Sequence, residues 1–521
     1  MRLAVHTGRE YAGRRRTALF LAAASLAVAA CSGGGGDSLS NAGNTTPAPA
    51  TTAAPGDTSG GTTEGTTGTT AAPSTTVADA LADLPTCNTG ALDSATGPVE
   101  ITFWHGMTAD LEKELTRLTD AYNSSQPKVK VTLQNQGGYE QVIDKYMQSG
   151  QDSRPDLVQA PEYAVQSFRD TDSFIPVEAC SKDAGYDTSA LLPSAVNAYA
   201  TGGVQWAMPF NVSNPVLYYN KKVFAAAGLD PEKPPTTLEE LASTSKQIVD
   251  SGAASYGLVL DTSFDSGGGW FIEQWFAKAR EFYADNENGR VAPATKVLFD
   301  GATGVEIMSF LQRGVQDGTF FNVGDNASGQ DTFLKIADVN EPGAMTIGTS
   351  AGLGTVLAAI AAGIAPNVAV EDLGIAPMPG PNASLTVLVG GASLWIPADK
   401  GDEKAAAAWD FIQYLASAET QSAWASATGY VPMRDDAVAL DPLKSTYTND
   451  PRFRVAYDSL VATPDEPTAV GPLLGPQRDV RVLTSRAMAT VLDGGDPQAA
   501  LTDAATRANQ LLADYQAQQG G

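Results

Sequence analysis

Val99-Glu100-Ile101-Thr102-Phe103-Trp104-His105 opens the pattern that decides the fold. Val99, Ile101 and Phe103 alternate with polar residues, the period of a strand. Leu111, Leu115, Leu118 and Tyr122 follow at helical spacing, and Asn123-Ser124-Ser125-Gln126-Pro127 breaks that helix. Val129, Val131 and Leu133 alternate again; Gly137-Gly138 then leads into a second helix around Tyr139–Gln148. Pro155-Asp156-Leu157-Val158-Gln159-Ala160 reads as a short buried strand. This strand–helix–strand–helix–strand rhythm predicts an α/β fold with a mostly parallel sheet.

Further along, the rhythm stops and later returns. Tyr218-Tyr219-Asn220-Lys221, Gly228-Leu229-Asp230-Pro231 and Pro234-Pro235-Thr236-Thr237 are turn-rich. A helix is expected over Leu238–Val249, with Glu239 and Glu240 favourable in its first turn, and helices predominate to about Asp317. Strand signals reappear at Ala344–Ile347, Leu373–Ala376 and Ala392–Ile396. A last helix has Asp496 as cap, Pro497 at its first position, and Leu501, Ala504, Ala508, Leu511 and Tyr515 on one face. No repeat of fixed period is present. The α/β pattern leaves and returns, which suits two lobes crossed more than once by the chain, with a ligand cleft between them.

The N-terminus reads as a secretory leader. Arg14-Arg15-Arg16 precedes the apolar stretch Thr17–Ala30, and small residues lead directly into Cys31. A cysteine at that point makes residues 1–30 a bacterial lipoprotein signal, with Cys31 acylated after cleavage. Two or more acyl chains hold a protein stably on a bilayer. From Cys31 to residue 85 the chain is nearly all Gly, Ser, Thr, Ala, Pro and Asn. Such a segment has no apolar face to bury and is expected to be a disordered tether. It would span roughly 35–45 Å by random-coil scaling.

Residues 86–521 remain, too many for one ordinary core, so two lobes are expected. The formal charge is −26, and loss of the leader's five Arg and one Glu takes it to about −30. So acidic a surface argues against nucleic acid or an anionic membrane face as partner. The mature chain would hold one histidine, His105, and besides Cys31 only Cys87 and Cys180. That leaves little material for a zinc site, and neither a metal nor a cofactor is expected. In an oxidising compartment Cys87 and Cys180 are expected to pair, the other reading being two buried thiols.

Gly348-Thr349-Ser350-Ala351-Gly352 matches a nucleophile elbow, which needs a later acid and then a later histidine. No histidine follows Ser350, and His105 lies 245 residues upstream. The same residues also read as a loop that opens a helix and binds an anion, with the hydroxyls of Thr349 and Ser350 assisting, or as an ordinary glycine-rich connection. Arg478 and Arg481 stand out in so acidic a chain. Arginine suits bidentate phosphate or carboxylate binding, though each alone also fits a surface salt bridge.

Several segments together resemble the extracytoplasmic solute-binding proteins of ABC importers, in particular the binders of glycerol-3-phosphate and glycerophosphodiesters. They are Ile101–Met107, Pro209-Phe210-Asn211-Val212-Ser213 running on to Lys221, Val223–Pro235, Gly390-Gly391-Ala392-Ser393-Leu394-Trp395 and Thr428-Gly429-Tyr430-Val431-Pro432-Met433. The resemblance covers most of residues 98–515 and implies an α/β, two-lobed, periplasmic-binding-protein-like fold. It places ligand contacts at Tyr139, Glu162, Ser213, Thr349, Ser350, Gly391, Tyr430 and Arg481. Leu238 stands where those relatives often carry Trp, which would enlarge the cleft and favour a glycerophosphodiester such as glycerophosphocholine. Trp270 could then offer a cation–π face to choline, or be a core or rim residue.

The function expected is therefore a lipid-anchored, monomeric receptor on the outer face of the cell membrane. It would deliver a phosphoglycerol solute to a permease heterodimer and its ATPase. An oligosaccharide receptor and a cell-surface glycosidase or phosphodiesterase are the alternatives.

Overall fold

The computed structural model describes residues 84–326 and 329–519. The leader, Cys31 and the tether up to residue 83 lie outside the described residues. Thirteen strands follow in chain order: β1 (Val99–His105), β2 (Val129–Asn135), β3 (Leu157–Pro161), β4 (Phe174–Ile175), β5 (Ala200–Thr201), β6 (Val204–Gln205), β7 (Met208–Ser213), β8 (Pro215–Asn220), β9 (Tyr256–Leu260), β10 (Phe320–Asn322), β11 (Gly343–Thr349), β12 (Leu373–Pro377) and β13 (Gly390–Pro397). One sheet has the order β2-β1-β3-β13-β4, with β7 also paired to β13, and belongs to a first lobe. A second sheet, β10-β9-β11-β8-β12, belongs to a second lobe.

Each sheet is mixed, not mostly parallel. β1 runs parallel to β2 and β3, but β13 returns antiparallel to β3, β4 and β7. In the second sheet β9 is parallel to β10 and β11, whereas β8 is antiparallel to β11 and β12. The reversal has a topological cause. The chain leaves the first lobe after β7, builds the second sheet, and comes back as β13, so the returning strand need not follow a helical crossover.

The turn-rich reading of Tyr218–Lys221 gives way to β8, whose six residues are all buried. β9 likewise interrupts the run expected to be helical. Strands buried on both faces lose the polar–apolar alternation by which a strand is recognised. The helix at Leu238–Asp250 starts with a capping box between Thr237 and Glu240. The last helix, Pro497–Gln519, buries Leu512 where Leu511 had been expected. Its Tyr515 reaches instead to Asp170 of the first lobe, hydroxyl to carboxylate 2.8 Å.

Two apolar cores result. One gathers the first sheet with helices such as Asp402–Leu415 around Phe103, Trp395 and Phe411. The other packs helices Trp270–Ala279, Ala302–Gln316, Gln477–Leu492 and Pro497–Gln519 against the second sheet. A disulfide joins Cys87 to Cys180 across 93 residues, tying the start of the described chain to the helix Val177–Ala184. Among the described residues no helix is long and apolar enough to cross a membrane.

His105 ends β1 and is 1% exposed. Burial holds its imidazole below the usual 6.5, against the opposing charge of Glu112. Below about pH 6.5 the unfolded chain takes up a proton that folded His105 resists, so this contribution to stability is lost as pH falls. The melting temperature of a His105→Phe variant should therefore drop less between pH 7.5 and 5.5 than that of the parent chain. Equal drops would show that His105 carries none of the dependence.

Candidate functional site

Gly106 directly follows β1, and a Cβ there would lie 2.7 Å from the carbonyl carbon of Gly138. This close approach brings the Gly137-Gly138 turn against the end of β1 and sets Tyr139 at the head of the helix Tyr139–Gln148. A hydrogen-bond chain then crosses the sheet. Gly106 N–H donates to Gln159 (2.9 Å), Gln159 to Asn211 (2.8 Å) and Asn211 to the Tyr139 hydroxyl (2.6 Å). The Tyr139 and Tyr430 hydroxyls meet at 3.4 Å. Tyr430 stacks on Trp424, and the next residue, Val431, bonds its N–H to Val212 of β7. Burial raises the Tyr139, Tyr199 and Tyr430 phenols above their usual range, so each stays a neutral donor. The Tyr199 hydroxyl is buried with no partner among the described residues.

Gly391, at φ +89°, occupies the left-handed region, and a Cβ on it would lie 1.9 Å from the Asn211 carbonyl oxygen. Gly390 pairs with Ser213 and leaves room for the Trp270 ring, which a Cβ would strike at 2.2 Å. Gly429, at φ +103°, gives the same close approach to Ser350, whose carbonyl lies 2.7 Å from a Cβ position there. Ser350 N–H donates to Asn214 O, just beyond Ser213. The Thr349 hydroxyl accepts from Ala351 N–H and caps the turn Ser350–Gly352. The candidate nucleophile elbow is therefore a turn between lobes, and the single histidine among the described residues sits on β1.

Arg481 projects from the helix Gln477–Leu492 and is 2% exposed. Its Nε and Nη2 donate to the two oxygens of Glu273 at 2.8 and 2.7 Å, and Nη1 lies 2.9 Å from Glu162. Tyr163 lies under the guanidinium at 5.3 Å. Burial opposes the Arg481 charge, but the two carboxylates outweigh it and raise its pKa. Burial pushes the Glu162 carboxyl up, with Arg481 pulling it back. Glu162 follows β3 in the first lobe, while Glu273 and Arg481 belong to the second, so this buried cluster joins the lobes. Arg478 is instead a surface tie to Asp144 at 2.8 Å, with its side chain 35% exposed.

Glu162, Glu273, Arg481, Trp270 and Arg290 line one small cavity of about 20 Å³. Tyr139, Ser213, Ser350, Gly391 and Tyr430 do not line it; Gly390, paired with Ser213 and next to Gly391, is set against Trp270 of its wall. Leu238 is not brought to this cavity: it is buried in the second core, its N–H bonded to Gly380 O. Four residues of the site had no role assigned from sequence. Asn211 lies within a quoted motif without marking itself as the link to Tyr139. Glu273 had a signal, a carboxylate inside the otherwise uncharged, aromatic-rich run Trp270–Ala277. Arg290 follows Asn288-Gly289, a turn signature. Tyr199 had none. No group of three or more metal-ligating side chains converges among the described residues.

The model of the bacterial extracellular solute-binding proteins matches residues 117–455. The sn-glycerol-3-phosphate-binding periplasmic protein UgpB of Yersinia pseudotuberculosis is 29% identical over 435 residues, covering 81% of this chain and 94% of that protein. Its namesake from Salmonella typhimurium is 29% identical over 428 residues, with coverage of 80% and 93%. Among solved structures, UgpB from Mycobacterium tuberculosis in complex with glycerophosphocholine has a TM-score of 0.66 at 21% identity, covering 81% of this chain and all of that one. The GacH receptor of Streptomyces glaucescens has a TM-score of 0.65 at 18% identity, with coverage of 80% and 99%. The family match, with the two lobes and the polar cavity at their junction, identifies the chain as a member of the bacterial extracellular solute-binding proteins, the receptor components of ABC importers and not enzymes.

Proposed function

We propose that this chain is a lipid-anchored receptor that captures a glycerophosphodiester or glycerol-3-phosphate and delivers it to its permease. The observation that carries the reading is the buried Glu162–Arg481–Glu273 cluster, which lines one cavity with Trp270 where the lobes join. Glu162 and the neutral phenols suit glycerol hydroxyls, while guanidinium groups suit a phosphate. The relatives named for glycerol-3-phosphate and the fold neighbour holding glycerophosphocholine support the same ligand class. Trp270 walls the cavity and offers a face to a choline headgroup.

Delivery needs no covalent chemistry. A ligand that touches both lobes only when they are closed shifts the population to the closed form. Cys31 would supply the membrane attachment, and the tether to residue 85 the reach. Trp270 on the cavity wall, together with an Arg481 already paired to two carboxylates, favours a second reading in which the solute is a neutral oligosaccharide.

Isothermal titration of the chain with glycerophosphocholine, sn-glycerol-3-phosphate and maltose separates the two. Binding of the phosphoglycerol ligands is expected. Binding of maltose alone would keep the receptor and overturn the ligand.

A further inference from the structure

The Tyr199 hydroxyl is a buried donor that the fold leaves unused. Tyr199 closes the helix Pro193–Ala198 and is 0% exposed. Its backbone is engaged: the N–H donates to Val196 O and the carbonyl accepts from Trp206 N–H, each at 3.1 Å. The phenol O–H has no partner among the described residues. A hydroxyl buried without a partner gives up its bond to water and gains nothing in return, so such a position calls for a group from outside the chain.

The surroundings of the hydroxyl say which group. Burial pushes the Tyr199 phenol up, and the Glu162 carboxylate and Tyr430 phenol beside it push the same way. Burial also raises Tyr139, with Tyr430 and then Tyr199 adding to it. Tyr139 and Tyr430 already meet each other, and Tyr139 accepts from Asn211. The helix that ends at Tyr199 contributes Ser194 and Ala198 to the cavity wall that also carries Glu162. That cavity, of about 20 Å³, admits one water-sized group and not a phosphate. A hydroxyl has that size, and carboxylates on the wall accept from it where they would repel an anion.

From this placement we infer that Tyr199 is a specificity residue of the receptor: its O–H donates to one hydroxyl oxygen of the solute while Glu162 accepts that hydroxyl's proton. A hydroxyl is both donor and acceptor, so a phenol and a carboxylate together read it in full. An ether, a ketone or a methyl group in the same place would leave one of the two unpaired. The assignment rests on the receptor reading above, in which Glu162 meets a glycerol hydroxyl.

Titration of the full chain and of Tyr199→Phe tests this, with the ligand-free melting temperature measured alongside. The ligands are sn-glycerol-3-phosphate, its two deoxy analogues (one without the central hydroxyl, one without the terminal one) and maltose. Tyr199→Phe should weaken sn-glycerol-3-phosphate about 3- to 10-fold, the range of one neutral hydrogen bond. It should leave unchanged the affinity for the analogue that lacks the hydroxyl it meets. Its melting temperature should be no lower than the parent's, because the hydroxyl makes no bond in the free protein. Affinities equal to the parent's for every ligand would leave the hydroxyl to a water and overturn the assignment. An equal loss for every ligand, with a lower melting temperature, would make the role structural and overturn it as well. Should the variant not fold, the parent decides: a deoxy analogue that binds more weakly than sn-glycerol-3-phosphate supports the assignment, and no such difference overturns it. If the parent binds maltose and no phosphoglycerol, the ligand reading fails, and the assignment stands on the same loss of affinity for maltose in Tyr199→Phe or falls without it. A parent that binds none of the four overturns both.

Discussion

Arg481→Ala is expected to destabilise the protein by about 3–5 kcal/mol, the cost of leaving a buried carboxylate without its partner. Glu273 is 2% exposed and draws both its strong contacts to a charge from Arg481. Gln477, its remaining neighbour at 2.9 Å, is neutral and cannot replace that charge. Glu162 loses its partner as well, though its greater exposure reduces its share of the cost. Phosphoglycerol binding should also vanish, because two uncompensated carboxylates would repel a phosphate. Thermal unfolding of Arg481→Ala and of the double variant Arg481→Met with Glu273→Gln checks the cause. The double variant removes the orphaned charge and should recover most of the stability. Equal loss in both would place the cost in packing. This coupling also makes Arg481→Ala a blunt probe of ligand chemistry, since it lowers affinity for any solute that needs Glu162 in position.

Gly391→Ala is expected to cost about 2–5 kcal/mol, combining a left-handed alanine with overpacking against rigid backbone. The Cβ would meet Asn211 O at 1.9 Å and Ser213 N at 3.4 Å, both on β7, and neither can swing aside as a side chain could. The register between β13 and β7 shifts at Ala392/Ser393, so this stretch is already a bulge with its geometry fixed. Displacing Asn211 would break its 2.6 Å bond to Tyr139 and weaken ligand binding at least about tenfold, as a hydrogen bond is lost at the site. Gly363→Ala is the control: its φ is +76°, but nothing lies within 4 Å of the new Cβ. It should show the conformational cost alone. A Gly391→Ala variant no less stable than Gly363→Ala would mean that the β7–β13 contact yields to the methyl.

Much of the first lobe is legible in its residues. Val99, Ile101 and Phe103 become the inward face of β1, and the helix at Tyr139–Gln148 has the bounds its pattern predicts. The capped helices at Leu238 and Pro497 likewise follow from local chemistry, in which a hydroxyl or carboxylate satisfies free N–H groups. β8 and β9 were hidden because burial on both faces erases their alternation. The sheets' mixed direction was hidden as well, since no local signal says that Gly390–Pro397 returns to the lobe the chain left after Ser213.

The site divides in the same way. Sequence by itself determined which residue types are present: one usable histidine, few cysteines, two arginines near Pro476, and glycines and tyrosines in motifs that resemble a known family. It also determined the family and the two-lobed α/β class, because those rest on local periodicity and ordered motifs. Only the tertiary structure decided the partners. It set Glu273 against Arg481 from positions 208 residues apart, took Leu238 into the second core, and gave Arg290 backbone carbonyl oxygens as acceptors. The physical reason is range. Periodicity, capping and turn chemistry act within a few residues, whereas the charge balance of a buried cavity depends on which distant side chains the fold places within about 4 Å of one another, where a low dielectric makes each pairing count.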